Sequence, residues 1–516
     1  MHSSFRETDD LSAEPSRLFR SRGTADALGI YLPAAVAYRS LGLVRGVILA
    51  WLIVPAEYGL LQMALVTVNV LMPLAGLGLN EAVARYVPQY EARGELRAFL
   101  RRAWLFAMAT TAVLCGLTFA AAGPLTRLIL GSAEAATADG SQRVELTRWA
   151  VACVLVLIAY MFLLAAIKGL RMFLAVSLLE LAGGVGFTAL AVVLAACGWR
   201  SADAVLVAFV AVYMLVTAAV GLLLIRHLGR SIGQDGPLEG ASRSDVPRQM
   251  VQFGMWLALA AVLWQIMQHY PMWYLQRTQG PQATAVFAGV RLIAQAILIA
   301  AVSVVMVVQA TVTRAWEAEG PAAADRKLGL AFKTTGIVML AGCGALVFAA
   351  PIVMRLFPAD YGSGVGLVPV LTAFCMVAGC LSFLVIHFTL IEKTRYLFGL
   401  WLVGVLANAM FAHRLVRPDM PATDAMQAAA WAGLLGITTA LLACLAWMRL
   451  EHRPIDRGAV LLIASAAALV LPTWCLAAWL TILLLLVLCT GLVLDDAEKL
   501  QVRQSAVRWV GRHKLR

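Results

Sequence analysis

Apolar runs of about twenty residues recur along almost the whole chain, each closed off by charged residues or by glycine and proline. A first series lies near residues 28–53, 58–79, 98–121, 148–167, 173–197, 204–225 and 251–273. A second lies near 285–312, 331–353, 366–390, 396–413, 425–447, 458–472 and 474–494. A helix rising 1.5 Å per residue needs roughly 20 residues to cross a ~30 Å hydrocarbon core, so each run predicts one crossing. Residues 458–494 are interrupted only by Leu471-Pro472-Thr473-Trp474, which predicts a tight turn between two short helices instead of one very long one. The pattern predicts an all-α integral membrane protein of about 14 transmembrane helices.

The polar positions set the orientation. On alternate sides of the fourteen-helix arrangement, 30 of the 41 lysines and arginines fall on one side and 8 on the other. Because cytoplasmic loops carry the excess, both termini are expected in the cytoplasm. A weak internal repeat at an offset of about 227 residues relates Pro124-Leu125-Thr126-Arg127-Leu128 to Pro351-Ile352-Val353-Met354-Arg355-Leu356, and Arg85 to Arg314. A duplicated unit of six helices gives two parallel bundles with two helices appended, an architecture suited to alternating access around a midplane cavity. The expected division is a cytoplasmic N-tail (1–26), an N-lobe of helices 1–6 (27–228), a cytoplasmic linker (229–249), a C-lobe of helices 7–12 (250–448), helices 13 and 14 (449–494) and a basic cytoplasmic C-tail (495–516).

Composition narrows the function. With 61% hydrophobic residues, 14% charged ones and a mean hydropathy of +0.83, the 516 residues leave no room for a large soluble domain. Most nucleotide-driven pumps, enzymes with a globular catalytic domain, and collagenous or disulfide-stapled secreted proteins are therefore excluded. The net charge of +12 is spread over loops between apolar runs, so it marks topology and implies no nucleic-acid partner. The nine cysteines form no CxxC pair and lie in apolar runs, which makes them small core residues; no metal or cofactor is expected. The first run is too long for a signal-peptide core.

Three arginines fall inside the runs: Arg39 and Arg45 in the first, Arg291 in the eighth. An arginine at the centre of a membrane helix costs on the order of 3 kcal/mol, so it should face a watery cavity, a partner or a bound anion. Glu180, in the fifth run, is the only acid clearly inside one, so at most one arginine has a deep acidic partner. Pairing or snorkelling to a headgroup is the plainer fate for each arginine. A cavity lined by Arg39, Arg45 and Arg291, with Glu180 beside them, would suit a phosphate or diphosphate, which guanidinium groups bind through paired hydrogen bonds. The six-residue separation of Arg39 and Arg45 turns them about 120° apart on the helix.

Other features have plainer readings. Trp256, Trp264, Trp273, Tyr270 and Tyr274 in the seventh run suit an interfacial aromatic belt, with sugar stacking as the sharper option. His269 and His387 read as packing residues before proton relays. Gly183-Gly184-Val185-Gly186 reads as a site of close helix packing. The basic C-tail is expected on the anionic inner leaflet.

Pro55-Ala56-Glu57-Tyr58-Gly59-Leu60-Leu61, followed by Gly76-Leu77-Gly78-Leu79-Asn80-Glu81-Ala82 and Arg85, resembles the first two helices of bacterial polysaccharide-type flippases of the multidrug/oligosaccharidyl-lipid/polysaccharide exporter superfamily. Leu356-Phe357-Pro358-Ala359-Asp360-Tyr361 resembles a second signature of that family, with Pro358 where glycine is commoner. The resemblance spans about residues 17–494. It implies a flippase carrying undecaprenyl-diphosphate-linked oligosaccharide across the bacterial inner membrane for surface polysaccharide synthesis, with O-antigen, capsule and exopolysaccharide all open. The implied partners are a polyprenyl-diphosphate-linked glycan, membrane lipids and a polysaccharide polymerase or export machinery. Related peptidoglycan-precursor flippases place cavity arginines on helices one and eight, the helices of Arg39, Arg45 and Arg291. Two alternatives stay open. A cation-coupled multidrug antiporter of the same fold is disfavoured by the scarcity of membrane carboxylates. A membrane glycan polymerase, ligase or acyltransferase is disfavoured because the longest outer loop, 122–147, reads as linker.

Overall fold

The computed structural model describes residues 24–131, 140–170, 172–231, 245–391, 393–451, 456–501 and 503–504, and no strand occurs among them. Among the described residues, eight helices make the N-terminal half: α1 (Thr24–Leu52), α2 (Pro55–Gly76), α3 (Leu79–Ala92), α4 (Leu96–Ala120), α5 (Ala122–Leu130), α6 (Gly140–Gly169), α7 (Phe173–Ala196) and α8 (Ala202–Ser231). The C-terminal half holds α9 (Asp245–Glu319), α10 (Pro321–Val353), α11 (Val368–Leu390), α12 (Thr394–Leu415) and α13 (Ala422–Leu450). Two short helices follow, α14 (Arg457–Ala464) and α15 (Thr473–Cys489), and residues 496–501 are helical again. Each of the fourteen predicted runs falls on a helix or on an arm of one. Among the described residues, 10 helices are long and apolar enough to cross a membrane, with α9 counted once, and α14 and α15 belong to shorter apolar segments.

Backbone chemistry sets the breaks. Pro55 occupies the first turn of α2, where its missing N–H costs nothing. At the other end Leu77 (φ 44°) and Gly78 (φ 69°) turn left-handed and stop the helix. Gly280, at φ 79° and ψ −173°, followed by Pro281, bends α9 sharply into two arms, so the two runs predicted there are two passes of one folded-back element. The basic tails and most of the linker, at 1–23, 232–244 and 505–516, lie outside the described residues.

One sequence expectation needs correction. The segment read as a linker from residue 122 begins with α5, a helix ordered by the hydroxyl pair Thr126–Thr147 (2.8 Å) and docked against α9.

The halves meet along α9: α2 packs on both arms and α1 on the second. Small residues allow the approach. A Cβ on Gly59 would lie 2.0 Å from the Pro281 carbonyl oxygen, one on Gly78 would lie 2.5 Å from the Gly254 backbone, and one on Gly46 would overlap Leu292. The glycine cluster in α7 does what its composition predicts, since a Cβ on Gly184 would stand 2.7 Å from the Tyr38 ring of α1. At the far end of the chain, buried Lys333 of α10 ties down the last helices. Its Nζ donates to Asp456 Oδ2 (2.7 Å) and Glu498 Oε2 (2.5 Å), while Asp456 Oδ1 caps α14 by accepting from the Gly458 N–H (2.6 Å).

Candidate functional site

A polar cavity of about 360 Å³ opens where α2 meets the two arms of α9. Helical spacing builds it. Gln62 and Asn69 lie two turns apart on α2, Gln265 and Gln268 one turn apart on the first arm, and Arg291 and Gln295 one turn apart on the second, so each pair shares a face. Gln268 and Arg291 are both about 16–18 Å along their arms from the Gly280 bend, which puts them near mid-membrane.

Arg291 is the cation of this site and is 5% exposed. One guanidinium nitrogen donates to the Gln268 carbonyl oxygen (2.5 Å) and the other to Gln268 Oε1 (3.2 Å), while Nε is buried with no hydrogen-bond partner. The guanidinium also lies 5.8 Å from the Phe374 ring centroid. Among the described residues no carboxylate pairs with it. Neutral ligands offset part of the cost of burying this charge but leave the charge itself standing, and the unpaired Nε adds to that cost. His269, whose Nδ1 is buried without a partner, and Trp264 line the same cavity.

The other predicted site residues diverge. Arg39 reaches from α1 to the second arm but does not line the cavity; it donates to the Ile299 carbonyl oxygen (3.2 Å) and to Ser303 Oγ (3.0 Å). Arg45, six residues further along and about 120° round the helix, turns into the N-terminal half, with its guanidinium 4.2 Å over the Phe187 ring. It does not line the cavity. Glu180 is also absent from the lining and pairs with Lys168 Nζ (3.3 Å) at the end of α6.

The aromatic residues divide in the same way. Trp264 faces the cavity and tilts against Trp401, Trp273 donates its indole N–H to the Leu128 carbonyl oxygen (3.1 Å), and Tyr270 meets His413 (3.3 Å). His387 is buried 3.8 Å from Asp325, away from the central cavity.

The amides Gln62, Asn69, Gln265, Gln268 and Gln295 are absent from the site that the sequence predicts, because that site is drawn from the buried charges. Their signal was available: each carries an uncharged group that must be satisfied in hydrocarbon, and they recur at helical spacing on the helices that meet here.

The two motif segments also come together. Tyr58 and Tyr361, both fully buried, meet edge to face with centroids 6.2 Å apart. Glu57 is occupied inside its own half, accepting the Ala202 N–H at the start of α8 (2.8 Å).

The profile of the polysaccharide biosynthesis protein family matches residues 27–312. No curated protein sequence matches the chain. Among solved structures, the lipid II flippase MurJ in an inward closed conformation superposes with a TM-score of 0.63 at 14% identity, over 89% of this chain and 97% of that one. A transporter of the MOP superfamily from Pyrococcus furiosus gives 0.62 at 15% identity, over 84% and 97%. A MATE transporter in complex with MaL6 gives 0.61 at 14% identity, again over 84% and 97%. The chain therefore belongs to the polysaccharide biosynthesis protein family and is a multi-pass membrane protein that shares the fold of the lipid II flippase MurJ and of MATE transporters.

Proposed function

We propose that the protein is a flippase for polyprenyl-diphosphate-linked oligosaccharide in the bacterial inner membrane, and that its central cavity takes the diphosphate headgroup. The observation that carries this reading is the buried Arg291 guanidinium, held by neutral ligands and unpaired with any acid among the described residues. A diphosphate would supply the missing negative charge and further acceptors. The amides around it are suited to sugar hydroxyls and phosphate oxygens, and Trp264 offers a face for a sugar ring. At about 360 Å³ the cavity is at the small end for ligand sites, so it suits a headgroup, and a longer glycan requires the halves to part. The polyprenyl chain would stay in the surrounding lipid. Engagement of Glu180 by Lys168 counts against an antiporter that uses Glu180 to exchange a cation.

Complementation of a flippase-deficient strain tests the reading. Arg291→Ala should abolish surface polysaccharide while still inserting in the membrane, and Arg45→Ala should be affected less. Wild-type polysaccharide from an inserted Arg291→Ala variant would refute the site.

A further inference from the structure

A second, chemically different cavity lies on the flank of the N-terminal half. Helices α4 and α8 both pack on α6 without packing closely on each other, which leaves a slot of about 630 Å³ between them. Phe162, Leu163 and Ala166 of α6 form its floor. Leu222 and Ile225 on its α8 wall are exposed, so the slot opens to the outside of the bundle.

Charge enters at one end only. Arg97 and Arg101, one turn apart in the first turns of α4, stand at the mouth and form no ion pair among the described residues. The mouth is at the end of the bundle where the basic residues predict the inner leaflet. From Arg97 to Trp104 the slot descends about 10 Å into the membrane, along walls that are apolar apart from Thr217, whose buried hydroxyl has no partner. Water is a poor filling for such walls at that depth, and a protein helix would have to bring an anion to exactly one end. An acyl chain below a phosphate satisfies both halves of the slot.

We propose that this groove is a binding site for an anionic phospholipid of the inner leaflet, with its phosphate on Arg97 and Arg101 and one acyl chain laid against Phe162 and Leu163. The site is separate from the central cavity and does not depend on what that cavity transports.

Native mass spectrometry of the purified full-length protein, exchanged into micelles containing phosphatidylglycerol, phosphatidylethanolamine or undecaprenyl phosphate, tests this. The wild type should retain phosphatidylglycerol over phosphatidylethanolamine by roughly tenfold, since each arginine next to an anionic headgroup strengthens attachment several-fold. Arg97→Gln with Arg101→Gln should erase that preference. Gly221→Leu tests the slot without touching charge, because the nearest atom to a Cβ there is Leu163 Cδ1 at 3.6 Å, and the longer side chain would occupy the chain's path. It should remove the lipid altogether, while Arg291→Ala should keep it. Equal retention of the two phospholipids by the wild type would overturn the proposal, as would undiminished phosphatidylglycerol in Gly221→Leu. Preferential retention of undecaprenyl phosphate would overturn it too, by giving the groove to the prenyl carrier.

Discussion

Trp51 at the end of α1 donates its indole N–H to the Leu356 carbonyl oxygen of the opposite half at 2.7 Å. A second bond mirrors it: Trp273 of α9 donates to the Leu128 carbonyl oxygen of the N-terminal half. The two tryptophans are 222 residues apart and the two acceptors 228, close to the offset of the internal repeat. A clasp of the same kind thus stands on both sides of the junction, at the end that the basic residues assign to the outer face.

If each clasp contributes a net hydrogen bond of about 1 kcal/mol, replacing both tryptophans by phenylalanine should shift the equilibrium toward a conformation parted at that end by about 30-fold. Each single variant should shift it by about fivefold. Distance distributions between spin labels at Val54 and Ala359 would register the shift, and unchanged distributions in the double variant would show that the clasps do not hold the halves.

Gly59 should tolerate no side chain. A Cβ there would overlap the Pro281 carbonyl oxygen at the tightest contact between α2 and the bend of α9. Gly59→Ala must push the helices apart, at a cost of roughly 1–3 kcal/mol. Thermal unfolding of the purified variant should show a lower midpoint, whereas Gly116→Ala, in mid-helix with nothing within 4 Å, should leave it unchanged or raise it slightly.

Lys333 should matter more to the C-terminal helices than to the central cavity. Its removal leaves Asp456 and Glu498 without their shared cation, and because Asp456 is 43% exposed and Glu498 18% the loss should be about 1–2 kcal/mol, below that of a fully buried pair. Lys333→Met should expose the segment after α13 to limited proteolysis while α1–α13 stay protected. Glu498→Gln should have a smaller effect, since Asp456 still holds the ammonium.

The helices were legible in the sequence because hydrocarbon thickness and the cost of unsatisfied backbone force apolar runs of one length. The fold-back of α9 follows from Gly280, whose left-handed backbone breaks the helix between the two predicted runs. The site was legible only in part. Burial cost singled out Arg291, but the same cost applies to Arg39 and Arg45, and it cannot say which way a side chain turns. The 120° between those two on α1 sent one to Ser303 and the other to Phe187. Lys168 lay at the end of a run and was counted as a loop charge, so its reach to Glu180 was hidden. The amides were missed because a neutral polar group costs less than a charge and leaves a fainter mark in the pattern.

Arg291 is the proposed anion-binding centre of the cavity. Titrating the purified protein with undecaprenyl diphosphate and following fluorescence of Trp264, with Trp264→Phe as the blank, tests it most directly. Saturable binding by the wild type, weakened at least about tenfold in Arg291→Ala and partly restored in Arg291→Lys, is the predicted result. Equal affinity in the wild type and in Arg291→Ala would contradict it.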